Sequence, residues 1–498
     1  MPGGEVTTVD ASPDATIGEF KHKILQTFVN DELSRKVSSV ELVLAEKPLL
    51  DDSVTLADSG ISEDVVVLAV LSKRTAECLR ANDALCDLRD PDRLVLLNIP
   101  DGAAEIPNDA FSDCKSVAGV TIPKSVTKIS DRAFANCCSL ISLTIPDSVA
   151  KIGRDAFREC SSLTNLTIPE SVEVIGESSF AGCGSLASLT IPDSVQVIAE
   201  SSFYGCSSLT SLTIPESVRE IGGVSFYGCI FLTSLTIPAS VELIGESAFS
   251  GCSSLNRLTI PASVKMIERF SFSGCRSLAS LTIPESVTEV GHGAFNGCSS
   301  LTSLTIPASV GEIGRSSFSG CSSLTSLTIP ASVTEIGRSS FRDCSSLASL
   351  TIPESVEVIG YNSFSGCNSL TSLTIPASVK MIGYRSFCGC SSLTSLTIPE
   401  SVEVIGESAF QECSSLTSLT IPGSVTRIGH RAFQGCRVLK GLVIPDSVRD
   451  VGREAFNGCS SLTNLVVPHC VSLDMSFQGC PASCQVTQVL QESAYRMA

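Results

Sequence analysis

From about residue 91 to residue 480 the chain repeats one pattern of apolar and polar positions every 23 residues. Counting from a cysteine as position 0, Leu falls at positions 3 and 6, Ile at 8, Pro at 9, Val at 12, Ile at 15, Gly at 16, Phe at 20 and the next Cys at 23. Cys321 to Phe341, followed by Cys344, displays the unit whole. Seventeen prolines from Pro100 to Pro468 and seventeen phenylalanines from Phe111 to Phe477 keep step until the last unit, which is two residues shorter. A globular core imposes no such period, whereas a stack of equivalent coils does. Within a unit, positions 6 and 8 face one side of an extended segment and 5 and 7 the other, so a half-buried strand is predicted there. Proline at position 9 has no N–H to give a ladder and ends the strand. Val at 12 and Ile at 15, three apart with variable residues between, predict a short extended segment or an open turn on the opposite wall. The run Ser-Ala-Phe-x-Gly-Cys predicts one tight helical turn with Phe in the core.

Outside the repeat the pattern changes. Residues 1–72 hold an early strand at Val6, Thr8 and Val9, a helix with Ile17, Phe20, Ile24 and Phe28 on one face, and strands over 40–44 and 65–71. Together they predict a small α+β roll. Residues 73–90 place Ala76, Leu79, Leu85 and Leu88 among charges before Pro91 and predict a short capping helix, because the end of a stacked array otherwise exposes an apolar flank. The solenoid then runs over 91–480 and a tail over 481–498.

The motif L-x-x-L-x-I-P-x-S-V-x-x-I-G-x-x-A-F-x-x-C, as in Leu393 to Cys413, resembles the BspA-like class of leucine-rich repeat. That resemblance implies a protein-binding or adhesive solenoid, here of about 17 coils, with no catalysis in the repeat. The first 72 residues resemble ubiquitin: Asp14-Ala-Thr-Ile17 opening a helix, Leu42 to Ala45 followed by Lys47, and Thr55 to Asp58 with Ile61 and Val65 to Leu71 fall in the order of the ubiquitin-like fold. The resemblance implies a β-grasp roll, a partner patch at Val43, Leu68 and Val70, and docking to ubiquitin-system or proteasome components. Because Leu71-Ser72-Lys73 continues without a Gly-Gly end, it implies an integral domain rather than a conjugated modifier. The fold class expected is therefore α+β, a ubiquitin-like head followed by a β-solenoid.

The net charge of −18, of which −8 falls in residues 1–72, argues against a nucleic-acid backbone as partner. The start MPGGEVTTVDASPD lacks the basic and apolar regions of a secretory signal, and no run reaches the ~18 apolar residues of a membrane span. A cytoplasmic protein is expected. Sixteen of the 23 cysteines, Cys114 through Cys459, share one phase of the repeat, which predicts a buried column of reduced thiols rather than a disulfide framework. His469, Cys470, Cys480 and Cys484 match no strong zinc spacing and are read as cap residues. With four histidines and no phosphate loop, neither an enzyme nor a cofactor is expected.

Specificity must lie where the units differ. Positions 5 and 7 are almost uniformly Ser and Thr, a solvated strand face. The alternative function is an exported adhesin, or a glycan- or ice-binding protein, using those hydroxyls. Position 17, just after the glycine, does vary, and from one coil to the next it reads Arg269, His292, Arg315, Arg338, Tyr361 and Tyr384. Arg and Tyr are favoured interface anchors, so these six residues are the predicted partner-binding stripe of a scaffold or adaptor.

Overall fold

The computed structural model describes residues 39–43, 65–70, 94–99, 101–469, 476–481 and 483–489. The chain is a β-solenoid of about 16 turns, with no helix among the described residues. It divides into two compact units, Met1–Ser253 and Ser254–Ala498.

Each coil lays down two short strands. The first occupies positions 5 to 7, as in Ser188–Thr190 and Ser326–Thr328, with the middle Leu buried and the flanking Ser and Thr exposed. The second covers positions 14 and 15, as in Val197–Ile198 and Glu335–Ile336, again with one residue in and one out. Of the two forms expected opposite the first wall, an extended segment or an open turn, the extended one is found. Equivalent strands pair in parallel and in register, Ser188 with Ser211 and Thr190 with Thr213 in the first unit, Ser326 with Ser349 and Thr328 with Thr351 in the second. A shift of one residue would turn Leu outward in every coil, so burial fixes the register.

Between the walls the repeated apolar positions close a continuous core. Cys321, Leu324, Leu327, Ile329, Val333, Ile336 and Phe341 are all buried, and most of their counterparts in the other coils are too, although the second leucine is only half-buried at Leu212, Leu258, Leu304 and Leu350. Each such side chain contributes roughly 1.5–3 kcal/mol when taken out of water. The phenylalanines stack face to face. In the first unit Phe180 and Phe203 have centroids 5.5 Å apart with planes at 4°, and in the second Phe318 and Phe341 stand at 5.5 Å and 5°. Stacked pairs add about 0.5–1.5 kcal/mol beyond area burial.

The arc around Phe corrects one expectation. No helical turn forms, because alternate N–H groups leave the coil. In the coil before Cys321, Ser316, Phe318 and Gly320 donate to carbonyls of the next coil, those of Arg338, Ser340 and Arg342, at 2.9, 2.8 and 2.7 Å. The intervening Ser317, Ser319 and Cys321 donate three residues back, to Gly314, Ser316 and Phe318. Left-handed backbone at Ser316 (φ 56°) and Gly320 (φ 74°) turns the chain between these bonds. The glycine at position 16 answers a different need: a Cβ on Gly337 would lie 2.5 Å from the carbonyl oxygen of Ile313 in the preceding coil.

Of residues 1–72 only two strands are described, β1 (Ser39–Val43) and β2 (Val65–Val70). They run parallel to each other and to β3 (Leu94–Asn98), in one sheet with the first solenoid strands. The expected helix over 16–28, the rest of the ubiquitin-like roll and the capping helix over 73–90 lie outside the described residues. At the other end Gln485–Val489 pairs in parallel with Asn464–Pro468 and adds a rung beyond residue 480.

Candidate functional site

The predicted stripe is built by the same arc in six consecutive coils of the second unit. The N–H at position 18 of one coil donates to the carbonyl at position 17 of the next: Phe270 to His292, Gly293 to Arg315, Ser316 to Arg338, Ser339 to Tyr361 and Asn362 to Tyr384, all at 2.8–2.9 Å. That chain of bonds lines up Arg269, His292, Arg315, Arg338, Tyr361 and Tyr384, and all six side chains are exposed. His292 Nδ1 also accepts the backbone N–H of Arg315 at 2.9 Å, which fixes the ring against the next coil. Tyr361 and Tyr384 meet edge to face, their centroids 6.2 Å apart.

Charge pairing sets this stretch apart from the rest of its column. Arg154, at position 17 in the first unit, reaches Glu177 at 3.2 Å and Asp155 at 3.4 Å, and Arg453 reaches Glu454 at 3.2 Å. Neither Arg315 nor Arg338 takes part in an ion pair among the described residues. Two guanidinium groups one coil apart thus present unused donors suited to a carboxylate or phosphate.

One neighbour of the stripe was not legible from column 17. Phe270 stands at position 18 with φ 54°, a conformation costing a bulky residue roughly 1–2 kcal/mol, and its ring is 42% exposed. The next coil has glycine there, and a Cβ on Gly293 would fall 2.3 Å from the Phe270 ring. Gly293 is therefore what lets the Phe270 ring lie against the next coil.

The remaining candidate columns have structural duties. Serine at position 11 donates to the preceding coil, as Ser332 does to Val310 at 2.6 Å and Ser401 to Val379 at 2.8 Å. Threonine at position 4 does likewise, as Thr302 does to Ala279 at 3.0 Å. The hydroxyls of Ser326, Thr328, Ser349 and Thr351 stay exposed in register on the strand face. The ladder cysteines are unbridged and buried, and within each unit the thiols of Cys137 through Cys252 and of Cys298 through Cys459 donate to the carbonyl of the preceding coil's phenylalanine, as Cys321 does to Phe295 at 3.5 Å. Burial pushes these thiols up; Cys206, Cys252, Cys298, Cys344 and Cys390 rise from 9.0 to about 12. Such thiols are poor nucleophiles.

At the carboxyl end Cys480 continues the ladder by donating to Phe456 at 3.4 Å; Cys470 lies outside the described residues. Among the described residues no group of three or more His, Cys, Asp or Glu side chains could hold a metal ion, and no helix is long and apolar enough to cross a membrane. Val43, Leu68 and Val70, the head's predicted patch, are described as rungs: Leu68 pairs with Leu42 and Leu96, Val43 with Ala69, and Val70 with Asn98.

The model of the BspA type leucine rich repeat region matches residues 92–209, 174–299, 265–394 and 380–489. A leucine-rich repeat protein from Bacteroides ovatus is similar in structure, with a TM-score of 0.63 and 29% identity over 79% of this chain and 92% of that one. A leucine rich cell surface protein from Faecalibacterium prausnitzii is 29% identical over 60% of this chain and 86% of that one, with a TM-score of 0.39. A leucine-rich repeat protein from T. pallidum is 30% identical over 37% of this chain and 77% of that one, with a TM-score of 0.30. No curated protein matches the chain.

Proposed function

The chain belongs to the BspA-type leucine-rich repeat family, a class of non-catalytic interaction and adhesion proteins, and on that premise we propose that it is a binding scaffold whose second unit recognises a protein partner through Arg269, His292, Arg315, Arg338, Tyr361 and Tyr384. The observation that carries this reading is the pair of exposed, unpaired guanidinium groups on Arg315 and Arg338, continued by two tyrosines in touch with each other. In a chain of net charge −18, guanidinium groups left without an ion pair attract a carboxylate-rich surface. Replacing Arg315, Arg338 and Tyr361 together with Ala weakens capture of such a partner and leaves the melting temperature unchanged. Undiminished capture by the triple variant contradicts the assignment.

The adaptor part of the proposal, docking of ubiquitin or proteasome components by residues 1–72 in the cytoplasm, is supported by the sequence resemblance alone. Affinity purification with the full chain and with a chain lacking residues 1–72 tests it: equal recovery of ubiquitin-system proteins by both removes the adaptor role and leaves the scaffold. The alternative, an exported adhesin or a glycan- or ice-binding protein, draws support from the exposed Ser and Thr rows that pair in register, Ser372 with Ser395 and Thr374 with Thr397. Binding of polysaccharide that is lost when Thr328, Thr351 and Thr374 become Lys would favour the alternative.

A further inference from the structure

In the first unit the position after the cysteine is normally small and polar, as in Ser161-Ser162 and Ser207-Ser208. One coil breaks the pattern with Ile230-Phe231, and both side chains stand out from the surface, 40% and 53% exposed. Just before them on the same arc comes Tyr227, and one coil back Tyr204 occupies the equivalent place; no other coil has an aromatic residue there, and the next two carry Ser250 and Ser273. The two tyrosines stack with centroids 5.2 Å apart and planes at 9°, and they are 39% and 44% exposed. Val224 of the same arc has φ 48°, an outlier for a β-branched residue, where neighbouring coils carry Ser201 and Ser247. None of these departures serves the core, which is complete without them: Phe203, Cys206, Phe226, Cys229 and Leu232 are fully buried beneath.

The coils that carry this patch are charged almost entirely with one sign. Between Cys183 and Cys252 stand Asp193, Glu200, Glu216, Glu220, Glu242 and Glu246, all exposed, against a single base, Arg219, which is 3.6 Å from Glu242. Glu200 lies four residues before Tyr204, and the backbone carbonyl of Glu246 accepts the Val224 N–H at 2.8 Å, which sets Glu246 beside the arc of Tyr227. An apolar patch on acidic coils is complementary to an apolar anchor flanked by bases. We propose that Tyr204, Tyr227, Ile230 and Phe231 form a second docking surface, which receives a segment of another protein carrying an aliphatic or aromatic anchor flanked by Lys or Arg. The surface is independent of the basic stripe, and its rigid stacked tyrosines are of the residue type that dominates binding hot spots.

The repeat itself supplies the control. Changing Tyr204, Tyr227, Ile230 and Phe231 to Ser introduces a residue that several other coils carry at those positions, so the variant keeps the interior; a single cooperative melting transition is checked first. A displayed random-peptide library is selected on the full chain and counter-selected on the fourfold variant. The enriched peptides carry an apolar anchor with Lys or Arg on its flanks, bind the variant at least about tenfold more weakly, and lose affinity for Glu200→Gln/Glu246→Gln as well. A single Phe231→Ser variant, which changes one exposed side chain, shows a smaller loss in the same direction. Enriched peptides that ignore the four substitutions, or that carry acidic flanks, overturn the proposal. So does a dimer in sedimentation velocity that the fourfold variant dissociates, since the occupant would then be a second copy of this chain.

Discussion

The coil that starts at Cys229 and the coil that starts at Cys321 have the same inside and different outsides. Cys229, Leu232, Leu235, Ile237, Val241, Ile244 and Phe249 are buried, and so are Cys321, Leu324, Leu327, Ile329, Val333, Ile336 and Phe341. Immediately after the cysteine one coil shows solvent Ile230-Phe231 and the other Ser322-Ser323. The interior cannot drift, because each side chain packs against its own counterpart one coil away and a change in one coil is felt by two neighbours. The exterior has no such partner. Recognition can therefore be written only where a coil departs from its neighbours at an exposed position, and the comparison can be broken by finding an interior change without cost or an exterior change with one.

The largest expected effect is on the thiol column and spares no coil. A thiol whose folded value is raised keeps its proton longer when folded than when unfolded. Its contribution is whole below pH 9.0 and is lost as pH climbs toward about 12, the window set by Cys206, Cys252, Cys298, Cys344 and Cys390. Each such thiol removes up to about 1.4 kcal/mol per pH unit in that window. Urea midpoints should thus fall steeply above pH 9.0, and Cys298→Ala with Cys344→Ala should flatten the slope; an unchanged slope would mean these thiols titrate freely in the folded state.

Next in size is the aromatic stack. Phe318, whose ring centroid is 5.5 Å from those of both Phe295 and Phe341, should cost about 3–5 kcal/mol when changed to Ala, read from the denaturation midpoint. A smaller loss, about 1–3 kcal/mol, is expected for Gly337→Ala, since the new methyl meets the Ile313 carbonyl. Gly311→Ala should instead stabilise by about 0.4–1 kcal/mol, because nothing lies within 4 Å of its Cβ. An effect of similar size separates two serines at one position. Ser340 Oγ donates to Gly337 at 2.8 Å, whereas the buried Ser317 Oγ has no partner, so Ser317→Ala should gain about 1 kcal/mol and Ser340→Ala should not.

Much of this was legible from spacing. The burial of Phe, Cys, Leu and Ile, the strand at positions 5 to 7 and the short segment ending at the second isoleucine of the unit all follow from apolar phase, and the fixed phase of the cysteines foretold unbridged thiols. The arc around Phe was not legible as it stands. Ser-Ala-Phe-x-Gly-Cys has the local look of a helical turn, and only stacking offers Ser316, Phe318 and Gly320 carbonyls in a neighbouring coil to which their N–H groups can go. Of the stripe, the line-up of Arg269 through Tyr384 was readable from the 23-residue period, but the difference between paired Arg154 and unpaired Arg315 depends on where acidic side chains reach. The Ile230-Phe231 departure was present in the sequence; its exposure became visible only once positions 1 and 2 were placed outside the core.

The division between a fixed interior and a writable exterior is tested most directly by comparing melting temperatures. Three proteins suffice: the natural chain, Phe318→Ala, and a chain with Tyr204, Tyr227, Ile230 and Phe231 changed to Ser and Arg315, Arg338 and Tyr361 changed to Ala. The sevenfold exterior variant should melt with the natural chain while the single interior variant melts clearly lower. An exterior variant that loses as much as Phe318→Ala would contradict the division and return those seven side chains to the fold.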